Sequence, residues 1–148
     1  MTNAGGLRAD LPVGEVTNGN VLDALPFVNS LVICEMTGAQ IREVLEQGFS
    51  LERGMIQVSG LRAVYDLNRP IGRRLIEWQI GGRAVDEART YRVATNSFIA
   101  QGGDLYQTFL QTKQMDAGGL LSEVVMKYLQ THGEIQPPQM GRLVPATR

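Results

Sequence analysis

The sequence predicts an α+β domain in which helices cover a mixed β-sheet. Three observations lead there. Short apolar or alternating runs at 29–36, 61–67, 75–80 and 90–94 read as strands. Two longer segments, after Thr37 and from Leu120, repeat apolar residues at helical spacing. The strands come in clusters between the helices instead of alternating with them one for one. The length of 148 residues suits one domain, spanning 1–148.

The elements follow in order. Asn3-Ala4-Gly5-Gly6-Leu7-Arg8 is a Gly-rich loop ending in a cation. Arg8 can clamp a phosphate or carboxylate through two parallel hydrogen bonds, or stand as a solvated surface arginine. Thr17 or Asn18 caps a short helix with Val21, Leu22 and Leu25 on its apolar face. Pro26 ends that helix, and Phe27 follows the break. Residues 29–36 form a buried strand that contains Cys34, the one cysteine. Thr37 and Gln40 fit a capping box. Behind it run Ile41, Val44, Leu45 and Phe49, with Gly48 at the helix end and Arg42, Glu43 and Glu46 as solvated charges.

Met55–Val58 is a short strand candidate, and 61–67 and 75–80 are clearer ones. Gly81-Gly82 is the link of a tight hairpin. The strand at 90–94 leads into Phe98, and 104–110 reads as a short helix. Gly118-Gly119 separates it from a helix with Leu120, Leu121, Val124, Val125, Tyr128 and Leu129 on one face. Arg142–Pro145 suits an edge strand.

Composition narrows the functional classes. A formal net charge of −1 gives no broad attraction to nucleic acid. No run of 18 apolar residues is present, so no membrane span is expected. One cysteine forms no internal disulfide, and the one histidine, His132, sits where a helix C-terminus is expected. A zinc or dinuclear centre built by this chain alone is therefore not expected, and neither is a bound cofactor.

The stretch from Thr95 to Tyr106 carries the most chemistry: Phe98, the pair Gly102-Gly103, and Asp104. Paired glycines let the backbone approach a ligand closely. Asp104 can cap the following helix or accept hydrogen bonds from a polar ligand. Phe98 can offer its face to a planar ring or pack in the core.

Four separated motifs now combine: Asn3-Ala4-Gly5-Gly6-Leu7-Arg8-Ala9-Asp10, Leu25-Pro26-Phe27-Val28-Asn29, Met55-Ile56-Gln57-Val58-Ser59-Gly60-Leu61, and Ala94-Thr95-Asn96-Ser97-Phe98 through Gly102-Gly103-Asp104. In this order they resemble the C-terminal domain of the 5′-nucleotidase family, which includes bacterial UDP-sugar hydrolases and the animal ecto-5′-nucleotidase. The resemblance implies a domain that binds the nucleoside part of a nucleotide. It implies a partner N-terminal metallophosphoesterase domain, absent from this chain, that holds two divalent metal ions and performs the hydrolysis. The chain by itself is then expected to be inactive, as one part of a phosphoric ester hydrolase, and the resemblance implies a periplasmic or secreted location. Residue by residue, it makes Phe27 and Phe98 the aromatics that sandwich the base and Asp104 the acid that holds ribose hydroxyls. Asn3 and Arg8 match polar groups around the nucleoside and its phosphate end, and Gly102 and Gly103 let the backbone pass close. Ala4, Val28 and Leu105 stand where the family usually has glycine, and each adds a side chain near the pocket. A sulfur-oxidation branch of hydrolases shares this domain and is the alternative. So is a non-catalytic binding or packing module.

Overall fold

A computed structural model of the chain, which describes residues 1–146, contains two sheets instead of the single one expected. The first is antiparallel, with β1 (Ser30–Thr37) at its centre between β5 (Thr90–Asn96) and β6 (Lys113–Leu120). The second is mixed. Here β2 (Leu61–Tyr65), β3 (Leu75–Ile80) and β4 (Arg83–Ala84) pair antiparallel, and β7 (Leu143–Pro145) runs parallel to β2, giving the order β4-β3-β2-β7. Gly81 and Gly82 make the expected hairpin link, both at positive φ, 58° and 74°. That pair of left-handed residues matches the twist of the flanking strands.

Helix α1 (Asn18–Ala24) is capped by Thr17, whose oxygen accepts from Asn20 N at 3.2 Å. Its buried residues are Val21 and Ala24, while Leu22 is exposed. The expected apolar face is thus rotated by part of a turn. Helix α2 (Gly38–Phe49) carries the capping box as read. Gln40 N donates to Thr37 Oγ1 at 3.2 Å, and Thr37 N donates to Gln40 Oε1 at 2.9 Å. It sends Ile41, Val44, Leu45 and Phe49 into one core with Val32, Cys34 and Met36 of β1 and Ala63 and Leu75 of the second sheet. A single helix therefore joins both sheets. The Cys34 thiol is fully buried, and desolvation raises its pKa.

Four expectations change. Gly48 lies inside α2, not at its end. A Cβ there would come within 2.7 Å of Ile56 Cγ2, so the glycine serves close packing. Residues 55–58 do not join a sheet; Gln57 instead makes an isolated bridge with Thr2, at 2.9 and 2.8 Å. Strand β6 occupies a stretch read as a glycine break. It is exposed and carries no alternation, and Gly118 and Gly119 sit at φ 77° and 82° where its register with β1 shifts. Helix α4 (Leu121–His132) begins one residue later than expected, and its apolar face is mostly half-covered: Ser122 is its one fully buried residue among those described.

Glu46 also differs from the solvated charge expected of it. Its carboxylate accepts from the backbone N–H groups of Arg74 at 3.0 Å and Leu75 at 2.7 Å, which holds the entry to β3 against α2. Hydrogen bonds to a charged acceptor contribute roughly 1.5–3 kcal/mol. Glu46→Ala should destabilise the domain by about that amount in urea unfolding. A cost within about 0.5 kcal/mol, the range of ordinary surface changes, would contradict the assignment.

Candidate nucleoside-binding site

The site forms where the end of β5 meets the N-terminal arm. The arm is fastened at both ends: Thr2 bridges Gln57, and Arg8 N donates to Ala24 O at 2.9 Å. Between them lies a short 3-10 turn, Ala4–Gly6. Asn3 is therefore brought under the sheet end, 4% exposed. Beyond β5, Asn96 caps the one-turn helix α3 (Ser97–Ala100) that carries Phe98. The chain then reverses through Gly102, at φ 82°.

Asp104 does not cap a helix. The expected helix over 104–110 is two 3-10 turns, Gly103–Leu105 and Gln107–Gln111. Asp104 and Leu105 both take left-handed φ, 52° and 68°. That conformation costs roughly 1–2 kcal/mol per L-residue. The turn aims the carboxylate at the arm, where Asn3 Nδ2 donates to Asp104 Oδ2 at 2.6 Å. A Cβ added to Gly5 would lie 3.7 Å from the same oxygen, so the arm's backbone passes close by.

The two phenylalanines stay out of the core. Phe27 is 48% exposed and Phe98 44%, while Phe49 and Phe109 are fully buried. Phe98 lies with its ring over Gly103: a Cβ there would meet Cε1, Cε2 and Cζ at 2.7 Å. Phe27 lines a cavity of about 10 Å³ with Thr2, Gly6, Leu25, Asn29 and Asn96. That is room for about one water molecule. Among the described residues the rings that do pair are others: Phe49 with Tyr65, Tyr106 with Phe109, and Tyr128 with His132. Arg8 is exposed, and among the described residues its guanidinium has no hydrogen-bond or ion-pair partner. The structure thus gathers Asn3, Phe98, Gly103 and Asp104 tightly and sets Phe27 beside Asn96. Arg8 stands outside this cluster, its backbone N–H bonded to Ala24 O of α1.

A family model described as the 5′-nucleotidase, C-terminal domain, matches residues 1–111. The chain belongs to the 5′-nucleotidase C-terminal domain family. It is 38% identical over 154 residues to the trifunctional nucleotide phosphoesterase protein YfkN of Bacillus subtilis, covering 97% of this chain and 10% of that protein. A crystal structure of a 5′-nucleotidase precursor from Thermus thermophilus superposes at TM-score 0.92 and 35% identity, covering 99% of this chain and 31% of that one. The sulfate thiohydrolase SoxB of Thermus thermophilus, in complex with glycerol, superposes at TM-score 0.73 and 25% identity, over 93% of this chain and 26% of that one. The chain therefore spans from a tenth to under a third of the proteins it matches.

In this 5′-nucleotidase C-terminal domain, no three His, Cys, Asp or Glu side chains gather as a metal site among the described residues. Asn3, Asp104 and Phe98 supply one carboxylate between them, which does not fit a two-metal centre. No described helix is long and apolar enough to cross a membrane.

Tyr106 lies directly behind the Asp104 turn and is buried. Burial and then the nearby Asp104 carboxylate push its phenol up from the usual 10 to about 12. Between pH 10 and 12 the folded state keeps this proton and the unfolded state has lost it. Its contribution is fully present below pH 10 and declines as pH rises through that window, at about 1.4 kcal/mol per pH unit. Urea unfolding as a function of pH should show this decline, and Tyr106→Phe should remove it. A variant as alkali-sensitive as the parent would contradict the assignment.

Proposed function

We propose that this domain binds the nucleoside part of a nucleotide substrate for a two-domain phosphohydrolase. The observation that carries the reading is the placement of Phe27 and Phe98. Two large rings are left half exposed, Phe98 over Gly103 and Phe27 beside Asn96, next to a part-buried polar cluster whose carboxylate is held by Asn3. A base stacks on the rings, since every base has a π face. Asp104, with Oδ2 anchored by Asn3, accepts hydrogen bonds from ribose hydroxyls. Asn3 acts through Asp104. Arg8, a cation on the fastened arm, meets the phosphate end. Gly103 gives the Phe98 ring room to lie against the turn, and Gly102, at φ 82°, lets the chain reverse there. The domain's contribution to hydrolysis is position and orientation. The chemistry belongs to the metallophosphoesterase domain that the resemblance implies, outside this chain. A periplasmic or secreted location fits the relative named as a precursor.

The test is calorimetric titration with adenosine and with 2′,3′-dideoxyadenosine. A hydrogen bond to an ionised acceptor contributes roughly 1.5–3 kcal/mol, so the dideoxy compound should bind at least tenfold more weakly. Equal affinities would remove Asp104 from ribose recognition. The likeness to SoxB supports the second reading, a domain of the sulfur-oxidation hydrolase branch. Its expected outcome is that neither nucleoside binds.

A further inference from the structure

The polar groups of the site are linked through one residue, Asn96. It closes β5, precedes Phe98 by two positions, and is 2% exposed. Its side-chain amide makes three hydrogen bonds. Oδ1 accepts from Ile99 N at 3.0 Å. Nδ2 donates to Thr2 Oγ1 at 3.0 Å and to Asn3 Oδ1 at 3.2 Å. Both N–H groups and the carbonyl are thereby used.

The direction of this network is forced. The Ile99 N–H can only donate, so Asn96 must turn its oxygen to α3 and its NH2 to the arm. Asn3 must then face Asn96 with its oxygen, which leaves its NH2 for Asp104. The opposite arrangement would set Asn3 Oδ1 against the carboxylate, acceptor against acceptor, in a part-buried place where an unmade hydrogen bond is expensive. The bond from Asn3 Nδ2 to Asp104 Oδ2, at 2.6 Å, is the end of this chain of donors.

We propose that Asn96 is a positioning residue of the binding site. By fixing the polarity of the Asn3 amide it anchors one carboxylate oxygen of Asp104 and leaves the other to accept from ligand hydroxyls. By capping α3 it sets Phe98 in the same frame. Asn96 touches no ligand in this role. The proposal rests on the nucleoside reading for the ligand's identity, but the orientation of the network does not.

The experiment uses the 148-residue chain. Asn96→Ser keeps a good N-cap oxygen and a neutral side chain while removing the NH2. Asn96→Asp keeps the cap and offers Asn3 a second acceptor. The ¹H–¹⁵N resonances of the Asn3 side chain, recorded without ligand, should move in both variants. Adenosine affinity should fall at least tenfold in whichever variant keeps the parent's backbone spectrum. A purely structural role would lower stability and leave the Asn3 amide where it is. Should neither variant fold, the parent decides: its Asn3 and Asn96 side-chain NH2 protons should exchange with solvent much more slowly than those of exposed Asn68. Unmoved Asn3 resonances, unchanged adenosine affinity in a folded variant, or fast exchange in the parent each overturn the proposal. If the parent binds no adenosine, the nucleoside reading fails, and the Asn3 resonances and exchange rates alone judge this one.

Discussion

Phe98→Ala and Phe27→Ala should each weaken adenosine binding at least tenfold while leaving the domain nearly as stable as before. Both rings are about half exposed in the free protein. A base that covers the open half of a ring buries on the order of 100 Å², worth roughly 2.5 kcal/mol at 25 cal/mol per Å². Offset stacking adds roughly 0.5–1.5 kcal/mol. Part of this is offset by ordering and desolvation on binding, so tenfold is a lower figure than area alone suggests. The stability side supplies the contrast. Phe49→Ala and Phe109→Ala remove fully buried rings and should cost about 3–5 kcal/mol. That is a large share of a domain's total of roughly 5–15 kcal/mol. Urea unfolding and calorimetry on the four variants therefore should divide them cleanly into two that lose binding and two that lose stability. Phe27→Ala and Phe98→Ala that unfold as readily as the core pair would place their rings in the architecture and take them out of recognition.

Gly103→Ala should lose binding almost as completely as Phe98→Ala, although it removes nothing. The new methyl would sit 2.7 Å from three atoms of the Phe98 ring. Gly103 is not in the left-handed region, so the backbone accepts alanine there. The ring is the part that gives way, and being half exposed it can swing outward at little cost in stability. The base then loses its platform. Gly102→Ala makes the useful comparison. Its φ of 82° and its close neighbours, Leu110 Cδ1 at 3.1 Å and Gln107 Nε2 at 3.2 Å, put the cost into the fold. Left-handed strain alone is roughly 1–2 kcal/mol. Gly103→Ala with the parent's adenosine affinity would show that Phe98 does not need its present pose.

Much of this is legible in the sequence, and the reasons are local. The capping box of Thr37 and Gln40, the Gly81-Gly82 hairpin and the apolar stripe of α2 are each written within a few neighbouring residues. The family was pointed to by four short motifs in order, and the same motifs held the half-exposed rings and Asp104. What sequence reasoning missed depends on residues far apart in the chain. Strand β6 has no periodicity because it buries nothing and exists by pairing with β1. Glu46 looked like any outward charge, since the backbone it holds lies 28 and 29 residues away. Asn96 stood inside a quoted motif with no role assigned, and its partners Thr2 and Asn3 are more than 90 residues distant. The second sheet follows the same rule: it shares one core with α2, and β2 pairs in parallel with β7, some 80 residues further along, as Ala63 with Leu143 shows.

The most direct test of the nucleoside pocket is an NMR titration of the ¹⁵N-labelled chain with adenosine, then AMP, then UDP-glucose. Shifts should cluster at Phe27, Phe98, Gly102, Gly103 and Asp104, with Arg8 joining when a phosphate is present. Shifts that gather elsewhere, or no shifts at millimolar adenosine, would contradict a nucleoside pocket at this end of the first sheet.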